Sequence, residues 1–277
     1  MANDEFRALA DLLTSHPLLP AAWRAAVAAG DFLANERPPG LQVDTKSTPT
    51  DVVTAMDRDA EALISAELLS DRPADGLLGE EGGERIGTSG TRWIVDPLDG
   101  TVNYLFRLPM WGVSIAAEVD GIVEVGVVVT PEFGEAYIAV RGQGAWLVTG
   151  EQAERLTGSS CTDLSAALVA TGFGYAAATR ERQATVVTGL ITQVRDVRRM
   201  GAAVVDFCWL ARGRLDAYYE RGLNAWDIAA GALIASEAGA LVTGLHDDDF
   251  TVFMMAAAPA IAPELRAALV TLRADEV

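Results

Sequence analysis

The chain has 277 residues, half of them apolar and 22% charged, with 39 acidic against 21 basic residues for a net charge of -18. This composition supports one large or two closely packed domains around a sizeable core and excludes a disordered chain. The acidity argues against nucleic-acid or anionic-membrane partners, which would be repelled, and means that a site handling anions needs cations as intermediaries.

The opening segment, MANDEFRALADLL, carries early acids and no basic start before a continuous apolar run, so no signal peptide is expected. Nowhere do the ~18 apolar residues of a membrane span run unbroken. Cys161 and Cys208 lie far apart in sequence, which fits reduced thiols better than a disulfide framework or a zinc site. A cytoplasmic location is the resulting expectation.

From Pro20, AAWRAAVAAGDFLANE predicts a helix that Pro38-Pro39-Gly40 ends. The polar DTKSTPTD then leads into VVTAMD and a second amphipathic helix, RDAEALISAELL, which leaves Lys46 in a loop. After GLLGEEGGE, strand-like runs at WIVD, GVSIAAEV, IVEVGVVVT and EAYIAV predict an antiparallel sheet with helices packed on it. Asp120-Gly121 between the second and third runs is a strong hairpin signal. The second half alternates: strand-like AALVATG, helical RERQATVVTGLITQV and AAVVDFCWLARG, strand-like LDAYYE, helical AWDIAAGALIASEAG, strand-like TVFMMAA, helical ELRAALVTL. Such alternation predicts a mostly parallel sheet flanked by helices. The boundary is expected near residue 150, giving an N-terminal α+β domain (1–150) and a C-terminal α/β domain (151–277).

The run RWIVDPLDGTVN at 92 to 103 is the most informative stretch. Trp93 to Val95 read as a buried strand, which puts Asp96 at its end, where side chains converge on a crevice. Pro97 fixes its own backbone angle and Gly100 can adopt a conformation that a Cβ would resist, so a tight turn brings Asp96 and Asp99 together. The same turn leaves the Leu98 carbonyl and the Gly100 and Thr101 amides pointing inward. Two close carboxylates repel unless something positive lies between them. Carboxylates with a carbonyl suit a hard divalent ion, Mg²⁺ before Zn²⁺, and the amides suit an oxyanion. Read alone, DPLDG is also an ordinary turn, Glu80-Glu81 a solvated acidic loop, and Asp227 a helix-terminal charge. Their conjunction is harder to explain that way.

Lys46 with STPTDVVTAMD through Asp57, GEE at 79 to 81, WIVDPLDGTVNY at 93 to 104, and YYE with WDIAAG from 218 to 231 resemble, in order, the successive motifs of the inositol monophosphatase family. Within that family the bacterial SuhB-type inositol-1-phosphatases look closest. The resemblance implies the layered αβαβα sandwich shared with fructose-bisphosphatase-like proteins, and a Mg²⁺-dependent hydrolysis of small phosphate monoesters, foremost inositol 1-phosphate. It further implies two to three Mg²⁺ ions: one on Glu80, Asp96 and the Leu98 carbonyl, a second on Asp96, Asp99 and Asp227, and a weaker third on Glu80 and waters. The attacking water gives its proton to the Glu80 and Thr101 pair, with Asp57 orienting the Thr101 hydroxyl. The Gly100 and Thr101 amides hold phosphate oxygens, while Glu220 and the Ala203 amide face the alcohol. A homodimer and lithium sensitivity are implied in the same way.

RGLNA between Glu220 and Trp226 does not fix the alcohol, because Glu220 could accept inositol hydroxyls or pair with the ammonium of histidinol phosphate. Asn103 looks more like the inositol phosphatases. A protein-binding module in a transcription complex is the alternative of another class, although a pure binding module has no physical need of six carboxylates in these positions. Gly172 and Gly174 match a dinucleotide fingerprint, with Asp196 further on, but the helix that should open at that turn starts late; two glycines turning the chain at a sheet edge explain them better. Asp247-Asp248-Asp249 lacks the glycine and closing glutamate of a calcium loop. With His16 and His246 the only histidines, a Ser-His-Asp mechanism is disfavoured.

Overall fold

The computed structural model describes residues 6–41, 43–45, 52–246 and 252–276. The chain opens with strand β1 (Phe6–Ala8) and helices α1 (Leu9–Leu13) and α2 (Leu19–Asn35), then a small ribbon, β2 (Val43–Thr45) with β3 (Val52–Thr54), and helix α3 (Ala55–Asp71). Pro20 sits in the first turn of α2, where its missing N–H costs nothing, and the helix stops just short of the Pro38-Pro39 pair. Strands β4 (Gly76–Gly79), β5 (Gly83–Arg85) and β6 (Thr91–Asp99) follow, then the short helix α4 (Thr101–Leu105). A meander of β7 (Gly112–Val119), β8 (Ile122–Thr130), β9 (Glu135–Val140), β10 (Gly144–Thr149) and β11 (Gln152–Arg155) completes a nine-stranded sheet in the order β1-β11-β10-β9-β8-β7-β6-β4-β5. It is antiparallel except where β4 runs parallel to β6. Asp120 and Gly121 both take positive φ (49° and 84°), as a two-residue hairpin of matching twist requires. The boundary expected near residue 150 falls between β10 and β11, two paired strands of this sheet.

The remaining chain forms β12 (Leu168–Thr171), α5 (Ala177–Leu190), β13 (Asp196–Arg198), α6 (Ala203–Ala211), β14 (Ala217–Arg221), α7 (Ala225–Glu237), β15 (Leu241–Thr243), β16 (Phe253–Ala257) and α8 (Ala262–Thr271). Its five-stranded sheet, ordered β13-β12-β14-β16-β15, is mixed rather than mostly parallel. β12 pairs parallel with β13 and β14, but β16 runs antiparallel to both β14 and β15. The difference arises because α7 and β15 together return the chain to the sheet edge, and β16 then comes back between β15 and β14.

Side-chain alternation builds the layers. On β6, Trp93 and Val95 face the core under α2 and α3, whereas Ile94 faces the opposite side and packs with Val204, Val205 and Cys208 of α6 and Leu233 and Ile234 of α7. The other flanks of α6 and α7, through Phe207, Leu210, Ile228 and Ala232, meet Ala170, Tyr218, Met254 and Ala256 of the second sheet. The far face of that sheet, with Val169, Tyr219 and Met255, is covered by α5 and α8. The result is the expected αβαβα sandwich. Because α6 and α7 are buried between two sheets, they carry apolar residues nearly all round, unlike a one-sided surface helix. No helix among the described residues is long and apolar enough to cross a membrane.

Candidate active site

The strand β6 runs on to Asp99, longer than WIVD alone predicts, and its register with β7 slips between Asp96 and Asp99. That irregularity lets both carboxylates leave the ladder toward the same side instead of alternating. Asp96 is 1% exposed, and its Oδ1 accepts the Leu98 N–H at 3.0 Å. The half-buried Asp99 accepts the Val204 N–H at 2.7 Å through Oδ2, so the first turn of α6 anchors it. Gly100 takes φ 87°, and a Cβ there would lie 2.7 Å from the Met110 carbonyl, so only glycine makes this turn without strain. Asn103 then bridges the Met110 and Met200 carbonyls through Nδ2 (2.6 and 2.8 Å), tying the turn to the loop before α6.

Glu80 arrives from the neighbouring parallel strand. Gly79 pairs with Val95 and the Glu80 N–H donates to the Val95 carbonyl at 3.3 Å, which sets Glu80 beside Asp96. Asp227 arrives from the other side of the cleft, at the third position of α7, where its Oδ2 accepts the Asn224 N–H at 2.6 Å in a capping box. The four acids sense one another. Burial, then the charges of Glu80, Asp99 and Asp227, push the Asp96 carboxyl well above the usual carboxylate range. Burial and the Asp227 charge do the same to Asp99 against the opposing pull of the Val204 amide.

Asp57 holds the third position of the capping box that opens α3. Its Oδ2 accepts both the Thr54 N–H (2.9 Å) and the Thr54 hydroxyl (2.6 Å), while its Oδ1 accepts the Thr101 hydroxyl at 2.9 Å. The Leu98 carbonyl lies 3.1 Å from the same hydroxyl. Ala203, the first residue of α6, is buried. Glu220, on β14, accepts the Tyr218 hydroxyl at 2.7 Å and presses against Gly172 so closely that any side chain there would collide with its carboxylate. Burial pushes the Glu220 carboxyl up to about 7, partly offset by the Tyr218 hydrogen bond and the Arg199 charge.

The structure thus brings together Asp57, Glu80, Asp96, Leu98, Asp99, Gly100, Thr101 and Asp227, with Ala203 on α6 and Glu220 on β14. Lys46 and Asp247-Asp248-Asp249 lie outside the described residues. Of the glycines in the apparent dinucleotide fingerprint, Gly172 makes room for Glu220, while Gly174 lies against Thr179 and donates its N–H to Gln183.

Sequence reasoning missed two groups. Glu61, 5% exposed, accepts the Glu81 and Gly82 amides; its spacing of four from Asp57 on a helix was the available signal. Asp206, 1% exposed and with an unbonded Oδ1, has its carboxyl raised by burial and by the charges of Glu220 and Asp99; an acid within the apolar AVVDFCWLA was its signal.

The donor set of Glu80, Asp96, Asp99, Asp227 and the Leu98 carbonyl is all hard oxygen, the type that Mg²⁺ takes. Among the described residues, no three acidic, His or Cys side chains close on one point as a finished ligand cage. Glu80 beside Asp96 makes the Asp96 charge costlier, a repulsion that a cation between them would relieve. Among the described residues no arginine or lysine forms an ion pair with Asp96 or Asp99. A hard divalent ion therefore fits both the chemistry and the charge of the site.

The sequence model described as the inositol monophosphatase family matches residues 14–276. The chain belongs to the inositol monophosphatase family. Membership places it among the phosphatases. The inositol-1-monophosphatase SuhB of Mycobacterium tuberculosis is 45% identical over 234 residues, covering 82% of this chain and 81% of that protein. A protein of Escherichia coli named Nus factor SuhB is 39% identical over 272 residues, 95% of this chain and 97% of its own. Among solved structures, the extragenic suppressor protein suhB of Bartonella henselae superposes with a TM-score of 0.86 at 35% identity, covering 92% of this chain and 98% of that one. An inositol monophosphatase of Thermotoga maritima gives 0.84 at 26% identity, covering 94% and 99%.

Proposed function

We propose that this phosphatase hydrolyses small phosphate monoesters with Mg²⁺, inositol 1-phosphate foremost. The observation that carries the reading is the convergence of Glu80, Asp96, Asp99 and Asp227 from separate elements, with no ion pair to Asp96 or Asp99 among the described residues. A phosphate dianion cannot approach such a cluster unaided. When bound, a hard divalent cation supplies the charge that admits the phosphate and lowers the pKa of water.

The chain's own residues do the rest. Asp96 and Asp99 each spend one oxygen on a backbone N–H, which fixes the carboxylate and leaves the other oxygen for the cation. The Thr101 hydroxyl donates to Asp57, so its lone pairs face away from Asp57 and can accept a hydrogen bond from the attacking water. The water's proton passes to the Glu80 and Thr101 pair and its oxygen bonds to phosphorus as the ester P–O bond breaks on the opposite side, without a covalent enzyme intermediate; the alkoxide that departs takes a proton from solvent water to leave as the alcohol. The Gly100 and Thr101 amides hold phosphate oxygens. Glu220 and the Ala203 amide contact the alcohol. In this reading residues 1–150 carry most of the cation-holding groups, and residues 151–277 supply the alcohol-facing ones with Asp227. A homodimer is part of the same proposal on the strength of the family resemblance, and sedimentation tests it.

Phosphate release from inositol 1-phosphate, histidinol phosphate and fructose 1,6-bisphosphate, compared side by side with Mg²⁺ and with EDTA, tests the proposal. Preference for the inositol ester, abolished by EDTA, is the expected result. Preference for histidinol phosphate would replace the substrate, and no Mg²⁺-dependent release from any ester would overturn the reading. The Nus factor name of the Escherichia coli relative favours a second reading, a protein-binding role in transcription. That reading predicts that Asp96→Asn abolishes turnover yet leaves the partner role intact.

A further inference from the structure

Helix α3 contributes a second acid to the site one turn after Asp57. Asp57 and Glu61, four residues apart, share a helix face, and both are buried, at 1% and 5% exposure. Asp57 reaches the Thr101 hydroxyl, whereas Glu61 reaches the corner after β4. Glu61 Oε2 accepts the Glu81 N–H at 2.8 Å and Oε1 accepts the Gly82 N–H at 2.6 Å. The glycines flanking the acid pair make room for this carboxylate. A Cβ on Gly79 would lie 2.5 Å from the Glu61 carboxyl carbon, and one on Gly82 would lie 2.5 Å from Oε1. The GEEG spelling is therefore a socket for Glu61 as well as a source of Glu80.

The socket bears directly on Glu80. On the strand side, the Glu80 N–H holds to the Val95 carbonyl at 3.3 Å, long for a backbone bond. On the loop side, the next two amides are held by short, charge-assisted bonds to Glu61. The backbone at Glu80 is thus set between β6 and α3, and the stronger grip is that of Glu61.

We propose that Glu61 is a positioning residue: its buried carboxylate clamps the 80–82 corner and so presets Glu80 beside Asp96 for cation binding, without touching the substrate. This rests on the proposed reading of the carboxylate cluster as a Mg²⁺ site. One helix face then serves both tasks of the site, with Asp57 orienting the hydroxyl and Glu61 placing a cation ligand.

Glu61→Gln in the full-length protein tests it, because glutamine has nearly the same size but one acceptor oxygen, and it turns an N–H₂ toward an N–H that needs an acceptor. Mg²⁺ affinity is read by titration calorimetry, and loop order by amide hydrogen exchange with and without Mg²⁺. The expected result is an affinity loss of about 10–100-fold, as for other residues that orient metal ligands. Exchange should speed up in residues 80–83 alone, with the KM for substrate unchanged at saturating Mg²⁺. Leu68→Ala, a fully buried core change on the same helix, should lower the melting temperature without moving Mg²⁺ affinity.

Wild-type Mg²⁺ affinity and wild-type exchange at 80–83 in Glu61→Gln would overturn the inference, as would an equal affinity loss in Leu68→Ala. If Glu61→Gln does not fold, Glu61→Asp, which keeps both oxygens one methylene short, is read by the same two measurements. A wild-type protein that neither binds Mg²⁺ nor releases phosphate would instead refute the underlying function, a separable result.

Discussion

The Thr101 hydroxyl donates to Asp57 Oδ1 across 2.9 Å, while the other oxygen of the same carboxylate closes the N-terminus of α3 on Thr54. One acid therefore caps a helix and fixes the Thr101 hydroxyl at once. The helix end holds Asp57 rigid, and that rigidity gives the hydroxyl a single direction.

This arrangement separates two substitutions of Thr101. Thr101→Ser keeps the donor and should retain most activity. Thr101→Val keeps the shape and loses the proton path, so kcat should fall about 10²–10⁴-fold, the usual contribution of general acid–base catalysis, with KM little changed. Steady-state kinetics of the pair decide it, and equal loss in both would show that the hydroxyl has no part in proton transfer.

Asp96→Asn should split activity from stability. Asp96 is buried among Glu80, Asp99 and Asp227, so removing its charge relieves repulsion in the cation-free protein. In EDTA the variant should melt no lower than the wild type. With Mg²⁺ the wild type should gain stability by ligand linkage, about 2.7 kcal/mol at a hundredfold excess over Kd, whereas the variant gains little and has no turnover. Thermal melts in the two buffers measure both effects, and an equal Mg²⁺ gain in the variant would remove Asp96 from the cation site.

Much of this was legible in the sequence because the physics that shapes the elements also marks the site. The strand-like runs that form β7, β8 and β9, with the Asp120-Gly121 turn between the first two, marked the antiparallel sheet, and the all-round apolar α6 and α7 fit a layer buried on both faces. Asp227 could be read either as a helix-terminal charge or as a site acid, and the two are compatible: Asp57 and Asp227 each close a capping box, which would also serve as a rigid mount for a site carboxylate. The three-residue strands β13 and β15 were not legible, since segments that short carry no periodicity. Nor was the reversal of β16, which local pattern does not encode. Glu61 escaped because its partners are backbone amides some twenty residues away, and an amide has no spelling; only the glycines around Glu80-Glu81 hinted at the close approach.

Gly100→Ala should disable the turn. Its φ of 87° costs a residue with a Cβ about 1–2 kcal/mol, and the Cβ would also lie 2.7 Å from the Met110 carbonyl and 3.1 Å from the Ala202 methyl. Relief requires moving the backbone that carries Asp99 and Thr101. The expected outcome is a modest drop in melting temperature with a disproportionate loss of kcat. A loss of stability at full activity would mean that the turn tolerates a shift the proposed mechanism forbids.

Glu220 predicts an unusual pH dependence of stability. Burial raises its carboxyl to about 7, against an ordinary glutamate value of about 4.3 in the unfolded chain. Between those values the folded protein binds more protons than the unfolded one, so the Glu220 contribution to stability falls as pH rises through this window. Below it both states are protonated and the penalty vanishes; above about 7 the full cost of holding a buried anion near Asp227 is present. Glu220→Gln removes the ionisation while leaving an oxygen to accept the Tyr218 hydroxyl. Urea melts of the two proteins in EDTA from pH 5 to 8 should show the variant gaining on the wild type as pH increases. A difference that stays flat across the range would mean that Glu220 ionises as freely in the folded protein as in the unfolded chain, and a difference of opposite slope would mean that the neighbouring Arg199 charge outweighs burial.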